Sequence, residues 1–222
     1  MGISPRFGLR AFAFAILCLA AGCDREPSRA PTTQPDALIG RIDAALSSAA
    51  GFLVSHQSPD GGWRSEKYGP LRDGPSLSPH VLAALFFLPG ADARSSFHRG
   101  TAYVGSLLDE RGEVREPLRY GVYSAAEASW VCVLADRSPR ALAEQAAWLR
   151  YVRARQLRAD LGWNDADPEF GGWGYLVGVP RKTEGRTSLA ASNLSATVFG
   201  LGATHPRPPS MATAFSLSLF AA

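Results

Sequence analysis

The stretch FLVSHQSPDGGW, Phe52 to Trp63, closes an apolar helical run with a glutamine and then turns through two glycines into a tryptophan. An altered version, DPEFGGWGY, runs from Asp167 to Tyr175. Pro59, Gly61 and Gly62 end any helix that reaches them. A glutamine at a helix end can donate and accept toward the exposed ends of neighbouring helices. The glycines allow positive φ and a sharp reversal, and the indole can pack flat over the amide and the helix end. The reading is a structural clasp, made once by Gln57, Gly61, Gly62 and Trp63 and again by Gln156, Gly171, Gly172 and Trp173.

On the N-terminal side of the first clasp, Leu38, Ile42, Ala45, Ala49, Phe52 and His56 fall on one helical face, with Ile39, Leu46 and Leu53 alongside and Asp36 as the cap. On its C-terminal side, SPHVLAALFFL is apolar nearly all round, with Ser78 as cap and Pro79 at the first helical position. The alternation then recurs. SSFHRGTAYVGSLLDERG is amphipathic and YGVYSAAEASWVCVLA is small and apolar. SPRALAEQAAWLRYVRARQ is amphipathic, with Leu142, Gln145, Leu149, Val152 and Gln156 in register, and SLAASNLSATVFGLGA is again small and apolar. Three helix pairs with a period of about 50 residues predict an all-α stacked or circular array.

Leu53, Gln57 and Gly61-Gly62-Trp63 stand at the spacing of the QW motif, and the chain over residues 37–203 resembles the squalene cyclase and prenyltransferase superfamily. The second copy keeps the order Val152, Gln156, Gly171-Gly172-Trp173, although fourteen residues separate Gln156 from Gly171. The resemblance implies a partial α/α toroid of outer amphipathic and inner apolar helices. The helices starting near Ser78, Tyr123 and Leu189 would then line the centre. A closed toroid in that superfamily uses about six pairs, so Leu85, Phe86, Phe87, Trp130, Val131 and Phe199 are expected to lack cover. Such an apolar patch is rare on a monomer. Two outcomes fit: a half-ring that self-associates, or a shortened or frame-shifted relative of a longer protein.

Arg6 and Arg10 precede AFAFAILCLAA, a run too short for a bilayer span, which needs roughly 20 apolar residues. Residues 1–22 read as a secretory signal, and LAAGC resembles a bacterial lipobox in which Cys23 becomes the lipidated first residue of the mature protein. Residues 23–36 read as a flexible linker, and residues 204–222, rich in proline at the start, as an atypical tail. The implied address is the bacterial cell envelope, with the protein lipid-anchored to the membrane and facing the periplasm. Without Arg6 and Arg10, 21 basic residues face 20 acidic ones, so charge makes no case for nucleic acid. With Cys18 lost and Cys23 acylated, Cys132 stands alone in an apolar run and reads as a small core residue.

Squalene cyclases protonate with a D-x-D-D cluster at the head of an inner helix. The nearest string here, Asp165 to Glu169, has Pro168 where the last aspartate would stand and lies on a loop, where Asp165 and Asp167 read as turn caps. Prenyltransferases hold zinc with Asp, Cys and His. Cys132 is not part of an Asp-x-Cys string, and His56, His80, His98 and His205 are scattered, so no catalytic residue, metal site or cofactor is assigned. Arg150, Arg153, Arg155 and Arg158 spread around a helix and read as a solvated face. Asn193 heads a sequon inside an apolar run and is expected to be unmodified. Two functions fit: a membrane-anchored, non-catalytic domain binding a partner or an apolar lipid ligand at the inner-helix face, and a terpenoid cyclase or prenyltransferase-like enzyme acting on a polyprenyl lipid.

Overall fold

The computed structural model describes residues 35–115, 117–134, 136–182 and 191–205. The signal, Cys23 and the linker up to residue 34, like the tail from residue 206, lie outside them. The described residues are all-α. The helices are α1 (Pro35–Ser55), α2 (Gly74–Leu85), α3 (Ala91–Ser106), α4 (Gly121–Val131), α5 (Pro139–Arg153) and α6 (Leu194–Thr204). Short 3-10 turns stand at Gly69–Leu71 and Ala159–Leu161. The chain divides after Ile42: the described residues before that point form the first turns of α1, and the packed unit begins at Asp43.

Three caps set helix starts. Asp73 accepts from the amide of Ser76 at 2.7 Å, Ser138 from that of Ala141 at 3.2 Å, and Asn193 from that of Ala196 at 2.8 Å. The expected cap at Ser78 is thus corrected. Helix α2 begins five residues earlier than expected, at Gly74 with Asp73 as its cap, and Pro79 lies inside it. The serine is occupied otherwise, as described below. Asn193 is the cap of α6 rather than a helix-interior residue, so that helix starts later than Leu189. It ends at Thr204, two residues before Pro206, where a following proline disfavours helical backbone.

Helix α4 is the hub, packed against α2, α5 and α6, while α3 packs on α2 and α5 also touches α6. Its sequence explains the position: Gly121, Ser124, Ala125, Ala126, Ala128 and Ser129 are all buried, and side chains this small let neighbouring helices approach closely. Leu82, Leu85, Val104, Val131, Val152, Trp148 and Trp173 are shut off from solvent around it. Each such aliphatic side chain contributes about 1.5–3 kcal/mol by leaving water.

The amphipathic helices share one register. Helix α3 presents Ala93, Phe97, Gly100 and Val104, and α5 presents Ala141, Gln145, Trp148 and Val152, both spaced by four, three and four residues. Helix α1 carries Ile42, Leu46, Ala49 and Leu53 at the same spacing. The face expected of α1 is therefore rotated: Leu53 packs on the core, whereas Phe52 is exposed. The expected uncovered patch shrinks as well. Leu85 and Val131 are buried beneath neighbouring helices, Trp130 and Phe199 are half-buried, and Phe86 and Phe87 are exposed.

Candidate functional site

Both clasps form, with the same bonds. Gln57 Nε2 donates to Gly61 O at 2.8 Å, and Gln156 Nε2 donates to Gly171 O at 2.9 Å. The indole of Trp63 donates to Leu53 O at 2.7 Å, and that of Trp173 to Val152 O at 2.9 Å. These carbonyls belong to the last turns of α1 and α5, where the regular ladder runs out, and Val152 O accepts from the amide of Arg155 at 3.0 Å as well. The backbone N–H of Trp63 donates to Ser78 Oγ at 2.8 Å, and that of Trp173 to Thr197 Oγ1 at 3.1 Å. This is why Ser78 does not cap α2: its hydroxyl ties the clasp to the next apolar helix.

The glycines are required by the geometry. Gly61 and Gly171 sit at φ of +91° and +81°. A side chain on Gly62 would strike the ring of Tyr103, and one on Gly172 would strike Ser192. The first glutamine reaches further than the second. Gln57 Nε2 also donates to Ser96 O at 2.9 Å, and its oxygen accepts from Arg99.

The fourteen residues between Gln156 and Gly171 leave the clasp unchanged because they are looped out. Ser58 N donates to Gly62 O in the first copy, and Leu157 N donates to Gly172 O in the second, each at 2.9 Å. The excursion carries its own small core of Leu157, Leu161 and Trp163, and the Trp163 indole donates to Pro180 O at 2.6 Å. In the middle repeat Leu108 takes the glutamine's place. That loop closes by a bridge between Leu108 and Val114 and by Asp109 accepting from the amides of Arg111 and Glu113.

What the clasps position is an aromatic face. Phe199 of α6 lies edge-on to His80 of α2, with centroids 6.3 Å apart, and 4.8 Å from Tyr123 of α4. Tyr175, two residues past Trp173, stacks on Tyr123 at 5.9 Å, with the two hydroxyls 3.2 Å apart. Tyr120 closes the group, edge-on to both tyrosines. At the other end of α2 and α4, Phe87 stacks on Trp130 at 6.2 Å. Burial raises the Tyr123 phenol above the ordinary range and lowers the His80 imidazole to about 4, so both are neutral at pH 7. The sequence reading found Phe199 and Phe87 but missed Tyr120, Tyr123 and Tyr175 as a group. The only signal was the tyrosine two residues past the second Gly-Gly-Trp.

The other candidates lie elsewhere. Asp167 accepts from Asn164 N at 2.9 Å and pairs with Lys182 at 2.6 Å, a turn-holding arrangement, and Asp165 is exposed on the same loop. Cys132 is buried, and burial pushes its thiol up to about 12. Among the described residues no three His, Cys, Asp or Glu side chains converge as a metal site would require. The arginine reading needs correction. Arg155 is half-buried, with its guanidinium 3.2 Å over the Tyr151 ring, and donates through Nε and Nη2 to Val177 O at 3.2 and 3.1 Å. Arg150 donates to Gly112 O at 3.2 Å. Both strap loops onto α5, a role invisible until the loops fold back over the helix.

This arrangement gathers aromatic rings from three helices and the second clasp, and the same helix α4 carries a buried carboxyl, Glu127, four residues on from Tyr123. No protein-family model, curated protein or solved structure matches the chain.

Proposed function

We propose that this chain is a membrane-anchored repeat domain of the squalene-cyclase type that holds an apolar ligand, of polyprenyl or similar lipid character, against the aromatic face without converting it. The observation that carries the reading is the convergence of His80, Tyr123, Phe199 and Tyr175 from α2, α4, α6 and the second clasp. Aromatic rings bury large apolar areas and favour flat or extended hydrocarbon. Protonation chemistry would need an acid at this face. His80 is neutral there and Asp167 is engaged with Lys182 on a turn, which leaves the buried carboxyl of Glu127 on α4 as the acid that a converting enzyme would use.

The reading is tested by photolabelling membranes that contain the full chain with a benzophenone-bearing farnesol. Labelled peptides should map to α4 and α6. Tyr175→Ala, at an exposed ring, should cut labelling by about fivefold without moving the melting temperature. Labelling that is unchanged by Tyr175→Ala, or that avoids α4 and α6, would reject the proposal.

The anchor is part of the same proposal and rests on LAAGC, residues 19–23. Intact mass should show a diacylglyceryl group on Cys23, and Cys23→Ala should move the protein from the membrane to the soluble fraction. Unmodified wild-type protein in the soluble fraction would refute the anchor.

A further inference from the structure

The packing repeats within the chain, and it leaves two surfaces of matching kind uncovered. Each amphipathic helix after the first packs on the apolar helix that precedes it in sequence: α3 on α2, and α5 on α4. In the first of these contacts Gly100 of α3 sits against Leu82 of α2 so closely that a Cβ on Gly100 would come within 2.5 Å of the leucine.

Helix α1 has the same register as α3 and α5, with Ala49 at the place of Gly100 and Leu46 at the place of Phe97. Phe97 is 4% exposed, whereas Leu46 is 39% exposed and Ile42, one turn earlier, is 48% exposed. Ala49 is exposed too. Among the described residues no apolar helix covers this stripe.

Helix α6 is uncovered in the complementary sense. Thr197 of α6 and Ser78 of α2 do the same work, accepting from the amide of a clasp tryptophan. Counting four residues on from each puts Leu201 at the place of Leu82. Leu82 is 0% exposed under α3, whereas Leu201 is 42% exposed and Leu194, two turns earlier on the same side, is 82% exposed. Among the described residues no amphipathic helix lies over them.

We propose that a second copy of this chain supplies the missing partner: α1 of one copy lies over α6 of the next, in the register that α3 adopts on α2. Ala49 then meets Leu201 as Gly100 meets Leu82. The contact is head-to-tail, joining two different surfaces, so it closes a ring or continues as a row according to the rotation between copies. It is independent of whether the aromatic face holds a lipid, because Leu194 and Leu201 lie on the side of α6 away from the buried Ala196 and Gly200.

The test uses two differently tagged full-length chains in one cell, one carrying Ala49→Cys and the other Leu201→Cys. Cys132 is buried and does not compete. Mild oxidation of the membranes should give a mixed disulfide dimer at least about tenfold above that from either variant alone, since neither surface faces itself. Adding Leu46→Asp to the Ala49→Cys chain should reduce the dimer about tenfold, the effect of about 1.4 kcal/mol lost at the contact. The melting temperature should hold, because Leu46 is exposed within its own chain. Absence of the mixed dimer from folded protein overturns the proposal. So do dimers confined to single variants, which would mean a symmetric face-to-face contact. A polarity-sensitive dye on Ala49→Cys that is buried in membranes without any crosslinking would assign the stripe to the bilayer surface instead.

Discussion

Trp173→Ala is expected to lower the unfolding free energy by about 4 kcal/mol, and Trp63→Ala by a similar amount, near the upper end for large-to-small core changes. Trp173 is 1% exposed and Trp63 2% exposed, so each truncation opens a cavity that rigid neighbours cannot fill. Gly200 already touches the Trp173 ring and Gly100 the Trp63 ring, and neither has a side chain able to move into the space. Each variant also leaves a helix-end carbonyl, Val152 O or Leu53 O, without its indole donor. Chemical denaturation monitored by circular dichroism checks the prediction. Trp173→Phe should recover the packing but not the bond, and so fall between wild type and alanine. Asp165→Asn, on an exposed turn, is the control and should change stability little. A loss below about 1.5 kcal/mol at both tryptophans would mean that the clasps are ornaments on a fold held elsewhere.

Acid is expected to act through His80. Its pKa is about 4 in the folded chain against 6.5 for the unperturbed side chain, because burial penalises the imidazolium. Between those values the unfolded chain binds a proton that the folded chain refuses, so stability rises with pH across this window. The contribution is complete above about pH 6.5 and is lost as pH falls toward 4. At 1.36 kcal/mol per unit, the loss is on the order of 3 kcal/mol. Denaturation midpoints measured from pH 7.5 to 4 for wild type and His80→Gln isolate it, since the carboxylates titrate in both. The difference between the two curves should change by that amount across the window. Parallel curves would place the His80 ring in contact with water and remove the dry aromatic face with it.

The first clasp was legible because its chemistry is local, a glutamine at a helix end, two glycines and an indole within a few residues of one another, and the second followed from the repeat of its Gly-Gly-Trp. The number and order of helices was legible from the alternation of amphipathic and apolar runs. Helix starts were less so. Ser78-Pro79 has the form of a cap, and nothing in the nearby sequence shows that an amide fifteen residues earlier claims the serine hydroxyl. The aromatic face was hidden for the same reason on a larger scale. Tyr123 and Tyr175 lie 52 residues apart and meet only because Trp173 is pinned to Val152 and Thr197. Arg155 misled in the opposite direction, since a charged residue at a helix end looks solvated until the carbonyl of Val177 arrives over it.

The two clasps reach one geometry with three residues between glutamine and glycine in the first copy and fourteen in the second. Closing the longer loop costs only about 1.4 kcal/mol more in chain entropy, and the burial of Leu157, Leu161 and Trp163 offsets it. Length between the fixed points is therefore nearly free to drift. Over evolutionary time the segment from Arg158 to Phe170 can be lengthened, trimmed or replaced while the register of the helices stays put, so it is the part of the molecule best suited to acquiring new recognition without refolding the rest.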